Sequence, residues 1–286
     1  MQTRQIHPST PFNLRASLHA KQTALPAEHG AWVFLLSPLA VGLAAGGWKP
    51  ASAVLVAGLL AAFLIRQPVT MVVKVISKRR PRSELPAALF WLAVYGLVGA
   101  AAAVWLALMG YAWLFWLALP ALPIFAWHLA LVSKRAERRQ MAVEILGGGV
   151  LALAAPAAFW LGQGDPAPAG WLLWGLCWLQ TGGSIVYAYL RLAQRVLPEK
   201  PSRRKSLRMA APALWANWGG LLVVVALALA RLVPAELPLA FAIQPLEAVW
   251  GALHPAVGVK PKVIGFRQLA VSVMFTLAFI AAWGRI

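Results

Sequence analysis

The chain has 286 residues, 61% of them hydrophobic and 12% charged, with a mean hydropathy of +0.71. A soluble domain carries about 25% charged residues, so this chain lacks the polar surface to clothe a water-soluble globule. Its 26 Lys and Arg against 8 Asp and Glu give a net charge of +18. The basic residues fall almost wholly between apolar runs, which assigns that charge to membrane topology rather than to nucleic acid.

Residues 1–27 are polar and contain scattered basic residues, Arg4, Arg15 and Lys21, with no apolar stretch ahead of Leu25. They read as a cytoplasmic polar tail and not as a secretory signal. Residues 28–286 read as a single transmembrane helical domain. A spanning helix needs roughly 20 apolar residues, because lipid cannot satisfy unpaired backbone groups. Such runs occur at 31–47, 51–73, 86–109, 111–132, 143–162, 170–190, 211–231, 235–253 and 268–284. The expectation is an all-α polytopic membrane protein of about nine transmembrane helices.

The connecting segments orient these runs. With the N-terminus inside, the tail and segments 74–84, 133–142, 191–210 and 254–267 hold 22 of the 26 Lys and Arg. Cytoplasmic loops are the ones enriched in Lys and Arg, so the reading is N-in and C-out. Trp48, Trp105, Trp113, Trp160, Trp171 and Trp283 fall near outer ends, where indole rings anchor at the interface.

Polar residues inside or beside the runs are the candidate site. Glu28 and His29 stand before the first run in LPAEHGAW; either Glu28 simply complements the helix dipole or the two act as an acid–base pair. In the second run Arg66, Thr70 and Lys74 share one helix face, and Pro68 frees a carbonyl near Leu64. Arg66 reads as the partner of a buried group or of an anionic ligand. Glu144 opens the fifth run ahead of Gly147, Gly148 and Gly149, a pattern that suits close backbone approach to a ligand. In the sixth run Gln180, Ser184, Tyr187 and Arg191 form one polar stripe, which has to face protein or water rather than lipid. In the eighth, Gln244, Glu247, Gly251 and His254 follow one face beside Pro245, and a Glu247–Arg66 salt bridge is the purely structural alternative. His128 reads as a packed or interfacial histidine, and Asn217 as a bond between helices.

Much chemistry is excluded. Asp165 is the only aspartate, and Cys177 the only cysteine. No paired-aspartate site for magnesium-bound diphosphate, no disulfide framework and no cysteine-based metal site can be built. No Walker A, HExxH, GxSxG or CxxC pattern occurs. No metal is implicated, and no cofactor is specified.

PAEHGAW at the first run, RQP in the second and KPKVIG ahead of the last resemble the YwiC-like family of bacterial membrane proteins, from about Pro26 to the C-terminus. The resemblance implies the bacterial cytoplasmic membrane and brings no established reaction. More distantly, nine helices with polar residues at their cytoplasmic ends, and the stretch from His128 through SKRAERRQMAVEILGG, look like the UbiA-type intramembrane prenyltransferases. That likeness implies a helical bundle, without the aspartate-rich motifs on which the magnesium-diphosphate chemistry depends.

Three functions fit these residues. One is binding or modification of an anionic, phosphorylated or prenylated lipid-like molecule in a cytoplasm-facing cationic pocket. Arg66, Lys74, Arg191, Lys260 and Lys262 would hold the anion, and Glu28, His29 or Glu144 would act as acid or base. The second is transport of a small solute, and the third is docking of a protein partner on the basic face. The expected partners are membrane lipids and an anionic or isoprenoid ligand, with no nucleic acid.

Overall fold

The computed structural model describes residues 21–25, 29–135 and 140–284. Among these residues every regular element is helical, and nine runs succeed one another: α1 (His29–Gly46), α2 (Pro50–Ile76), α3 (Leu85–Leu108), α4 (Ala112–Ser133), α5 (Met141–Gln163), α6 (Pro168–Arg195), α7 (Arg203–Leu229), α8 (Leu237–Leu253) and α9 (Pro261–Trp283). The first part of α4, Ala112–Ala118, is a 3-10 helix, and α5 is broken at Leu153 between Met141–Ala152 and Ala154–Gln163. One helical turn, Lys21–Ala24, precedes α1, with Thr23 and Ala24 buried and the Ala24 carbonyl accepting from the Tyr95 hydroxyl at 3.0 Å. The end of the polar tail therefore packs against the bundle.

Six of the runs, α2, α3, α4, α5, α7 and α9, are long and apolar enough to cross a membrane, and α1 and α8 are apolar but shorter. With 28 residues, α6 has ample length at about 1.5 Å per residue. Its hydropathy is diluted by Gln180, Thr181 and the polar stripe. The chain is a polytopic integral membrane protein.

Proline at the first or second position starts α2, α3, α6, α8 and α9, where its missing N–H is no loss. Ser202 caps α7, its Oγ accepting from the Lys205 N–H at 3.4 Å. These signals start α7 and α9 roughly two turns ahead of the apolar runs at 211–231 and 268–284. The basic residues Arg203 to Arg208, and Lys262 with Arg267, are therefore helical and not in loops.

Three ties show how the helix ends pair. Arg79 Nη1 donates to the Val132 carbonyl, the Gly258 N–H donates to the Arg195 carbonyl at 3.2 Å, and Gln163 Nε2 donates to the Gly46 carbonyl at 3.2 Å. The first two join basic connections to each other. The third joins the turn after α1 to the end of α5. This is the grouping that alternating, antiparallel spans require.

Close packing surrounds α5. Gly42 lies on the backbone of Ala155, Gly46 on that of Phe159 and Gly162 on that of Gly46, with no room for a Cβ at any of the three. At the break the Leu153 N–H turns to the Val150 carbonyl, releasing the Gly149 carbonyl, and Trp174 Nε1 caps it at 2.8 Å. Trp178 Nε1 donates likewise to the Ile145 carbonyl at 2.8 Å. Gly148 and Gly149 give room to Thr181 and Trp178 respectively, so packing explains these glycines, and not the approach of a ligand. We expect Trp174→Phe to lower stability by about 1–3 kcal/mol, since it leaves a buried carbonyl unpaired; thermal unfolding in detergent reads it.

Five tryptophans form a chain in which Trp160 is buried and Trp171 is 49% exposed. Trp113, Trp160, Trp171, Trp174 and Trp178 follow one another with ring centroids 6.3, 5.1, 5.9 and 5.0 Å apart. Trp160 is only 4% exposed and donates to the Ala167 carbonyl at 2.8 Å. It is a core residue and not an interfacial anchor, because α1 and α6 enclose the second half of α5. Trp48 and Trp105 are exposed, as anchors would be.

Candidate functional site

The polar stripe of α6 turns inward, onto α8 and α9. Ser184 Oγ donates to Gln268 Oε1 on α9 at 3.3 Å, and the Tyr187 hydroxyl donates to Glu247 Oε1 on α8 at 2.8 Å. Arg191 Nη1 donates to the carbonyls of Gly251 in α8 and of His254 just after it, at 3.0 and 2.8 Å, and to Gln194 Oε1 at 2.8 Å. Gln194 is fully buried and holds the corner together: its Nε2 donates to the Gly251 carbonyl at 3.1 Å and its Oε1 accepts from the Ala256 N–H at 3.2 Å. Gly251 permits this contact, because a Cβ there would overlap the Tyr187 hydroxyl and ring.

Glu247 pairs with Arg267 and not with Arg66. Arg267 Nε donates to Oε1 at 2.6 Å and Nη2 to Oε2 at 2.8 Å, a two-point bond that matches the planar guanidinium to the carboxylate. The Arg267 guanidinium also lies 3.3 Å from the centre of the Trp250 ring, and that of Arg191 lies 5.3 Å from it. His254 stacks on the same indole with centroids 4.9 Å apart and is exposed.

These groups border a cavity of about 120 Å³, lined by Tyr187, Arg191, Glu247, Trp250, Arg267 and Gln268 on its polar side and by Val259, Val263 and Ile264 on its apolar side. Among the described residues two guanidinium groups face one carboxylate, an excess of one positive charge in the cavity. Arg191 carries that excess: it is 5% exposed, and among the described residues its hydrogen bonds all leave from Nη1 and end on neutral oxygens.

The other residues singled out in the sequence lie elsewhere. Arg66 has its guanidinium 5.2 Å from the centre of the Phe63 ring, and Thr70 Oγ1 donates to the Arg66 carbonyl at 2.8 Å. Both belong to α2, as does Lys74, and none of the three lines the cavity. Lys260 and Lys262 are exposed, beside the lining residues Val259 and Val263. Glu144 accepts from the Tyr189 hydroxyl at 2.7 Å on the far side of α6 from the stripe. Glu28 lies outside the described residues; His29 begins α1. Gln180 lines a second, smaller cavity with Ser184. Asn217 Nδ2 donates to the Gly183 carbonyl at 3.1 Å, joining α7 to α6.

Sequence reasoning missed Arg267, Trp250, Gln194 and Gln268. Pro261 was the available signal for Arg267 and Gln268. Read as the first position of α9, it places Ile264, Arg267, Gln268 and Val271 on one helix face.

A family model described as YwiC-like protein matches residues 25–159. Over that part the chain is similar to the YwiC-like proteins. EHGAW and RQP fall inside the match, which ends within α5, and KPKVIG lies beyond it. The cavity, built on α6, α8 and α9, also lies beyond it, so this similarity carries no argument about the site. No curated protein matches the chain, and no solved structure does. The more distant likeness to the UbiA-type prenyltransferases therefore rests on the sequence features alone.

Proposed function

We propose that this protein binds the anionic headgroup of a lipid-like molecule in the cavity between α6, α8 and α9, on the cytoplasmic side of a bacterial cytoplasmic membrane. The observation that carries this reading is Arg191, a buried cation whose hydrogen bonds end on neutral oxygens. A charge withdrawn from water costs several kcal/mol unless it is paired, and Arg267, the other cation of the cavity, already holds the one carboxylate. An incoming phosphate or carboxylate neutralises the excess and bonds to the free edge of the Arg191 guanidinium, a pairing that Arg favours.

The shape of the site points to an amphiphile. The cavity takes a headgroup and not a whole lipid. Its apolar wall continues along α9, where Val263 is 56% and Phe266 67% exposed, a surface suited to acyl or isoprenoid chains. Recognition fits better than acid–base chemistry, because both oxygens of Glu247 are engaged. The cytoplasmic assignment follows from the gathering of 22 of 26 Lys and Arg in alternate segments.

Lipid extraction and mass spectrometry of the detergent-purified protein test the proposal. We expect an anionic lipid enriched over the bulk membrane, reduced at least about tenfold in Arg191→Gln, as the loss of a charge-assisted bond predicts. Arg66→Ala keeps it, since Arg66 lies outside the cavity. An Arg191→Gln protein carrying the same lipids in the same amounts would overturn the assignment.

A further inference from the structure

A second cavity, of about 20 Å³, lies between α1, α6 and α9. Ser37, Gln180, Thr181, Ser184 and Ser272 are its polar lining residues, and Cys177 is part of its wall. Gln180 precedes Arg191 by eleven residues, about 16 Å along α6, so the smaller cavity reaches deeper into the apolar layer, although the nearest α6 residues that line the two, Ser184 and Tyr187, are only three positions apart. Nε2 of Gln180 is buried there and has no hydrogen-bond partner among the described residues. Buried amide groups are rarely left unpaired, because each costs about 1–3 kcal/mol. A cavity holds a water once it offers about 10–15 Å³ and two or more polar partners, and this one meets both conditions.

The two cavities touch through one hydrogen bond. Ser184 lines the inner cavity, Gln268 lines the outer one, and Ser184 Oγ donates to Gln268 Oε1 at 3.3 Å. We propose that the inner cavity is a hydrated extension of the cationic site: it binds one water between Gln180 and the surrounding hydroxyls, and that water exchanges with the cytoplasmic side through Ser184 and Gln268. This places a polar route from Arg191 to the middle of the bundle and makes the inner cavity a subsite for a group the size of a water molecule. The inference deepens the headgroup reading, since it assumes that the outer cavity is open to the cytoplasm.

Cys177 is the only cysteine of the chain, so its S–H stretching band in the infrared reports this cavity without labelling. The experiment transfers the protein, in lipid nanodiscs, from H2O to D2O. The expected result is conversion of the S–H band to S–D within minutes, slowed at least about tenfold in Gln268→Leu, which replaces the bonded amide by an apolar side chain. Ser184→Val, with an unchanged thermal midpoint, serves as the second variant should Gln268→Leu misfold. An S–H band that persists in D2O, and exchanges only after denaturation, shows a dry cavity and overturns the proposal. Exchange equally fast in both variants shows that water arrives by another path and overturns the link between the cavities. Arg191→Gln separates the two readings: lipid lost in this variant while wild-type Cys177 stays unexchanged sinks the hydrated extension alone. Exchange in a wild-type protein that carries no selected lipid sinks the headgroup reading alone.

Discussion

Glu247→Leu is expected to destabilise the protein by about 3 kcal/mol, at the lower end of the range for breaking a buried ion pair. The estimate takes the lower end because the Arg267 side chain is 39% exposed, against 9% for Glu247, and solvent screens part of the charge left behind. The loss has three parts. Arg267 forfeits its two-point bond, the Tyr187 hydroxyl forfeits its acceptor, and the cavity gains a second uncompensated cation beside Arg191. Chemical unfolding in detergent micelles, followed by tryptophan fluorescence, gives the value. The double replacement Glu247→Leu with Arg267→Leu is expected to recover most of it, since removing both charges restores the balance. A single variant as stable as the parent would show that Arg267 has another partner within reach.

Gly251→Ala is the second large effect, expected at about 2–3 kcal/mol, toward the upper end of the overpacking range. The added methyl has nowhere to go: besides the Tyr187 hydroxyl it meets Tyr187 Cε2 and Cζ at 2.7 and 2.9 Å. Tyr187 is fully buried and cannot swing aside without leaving Glu247. The carbonyl of Gly251 moves as well, and Arg191 and Gln194 both donate to it, at 3.0 and 3.1 Å. The same unfolding measurement, made on Gly251→Ala, Tyr187→Leu and the pair together, separates collision from backbone strain. If collision dominates, the double variant costs clearly less than the sum of the singles. Strict additivity would assign the loss to backbone movement, and the role given to Gly251 would fall.

Nine apolar runs, and the alternation of basic and nearly uncharged segments between them, were legible in the sequence because lipid imposes a one-dimensional rule. A span must be long, apolar and internally hydrogen-bonded, and each of those properties is local. The inward turn of the Gln180–Arg191 stripe was legible for the same reason, since spacing along one helix defines one face. Hydropathy does not mark the starts of α7 and α9, because the capping Ser202 and the leading Pro261 lie roughly two turns ahead of the apolar runs. Arg267 therefore falls outside the apolar run although it is helical.

Which stripe meets which was not legible at all. Arg66 and Arg191 are both basic residues in the C-terminal halves of proline- or glycine-bearing helices, and nothing local distinguishes their neighbours. Pairing depends on the order of helices around the bundle, a non-local property set by side-chain volume at the seams. Here Gly42, Gly46 and Gly162 seat α1 on α5, while Gly251 seats α8 on Tyr187 of α6. The sequence alone thus determined that this is a membrane protein, roughly where its nine helices lie and that the α6 stripe faces inward. Only the tertiary structure decided that Glu247 takes Arg267, that Arg66 stays apart, and that Arg191 is left with a buried charge to neutralise. Charge balance in a cavity is a sum over helices that the chain brings together only on folding.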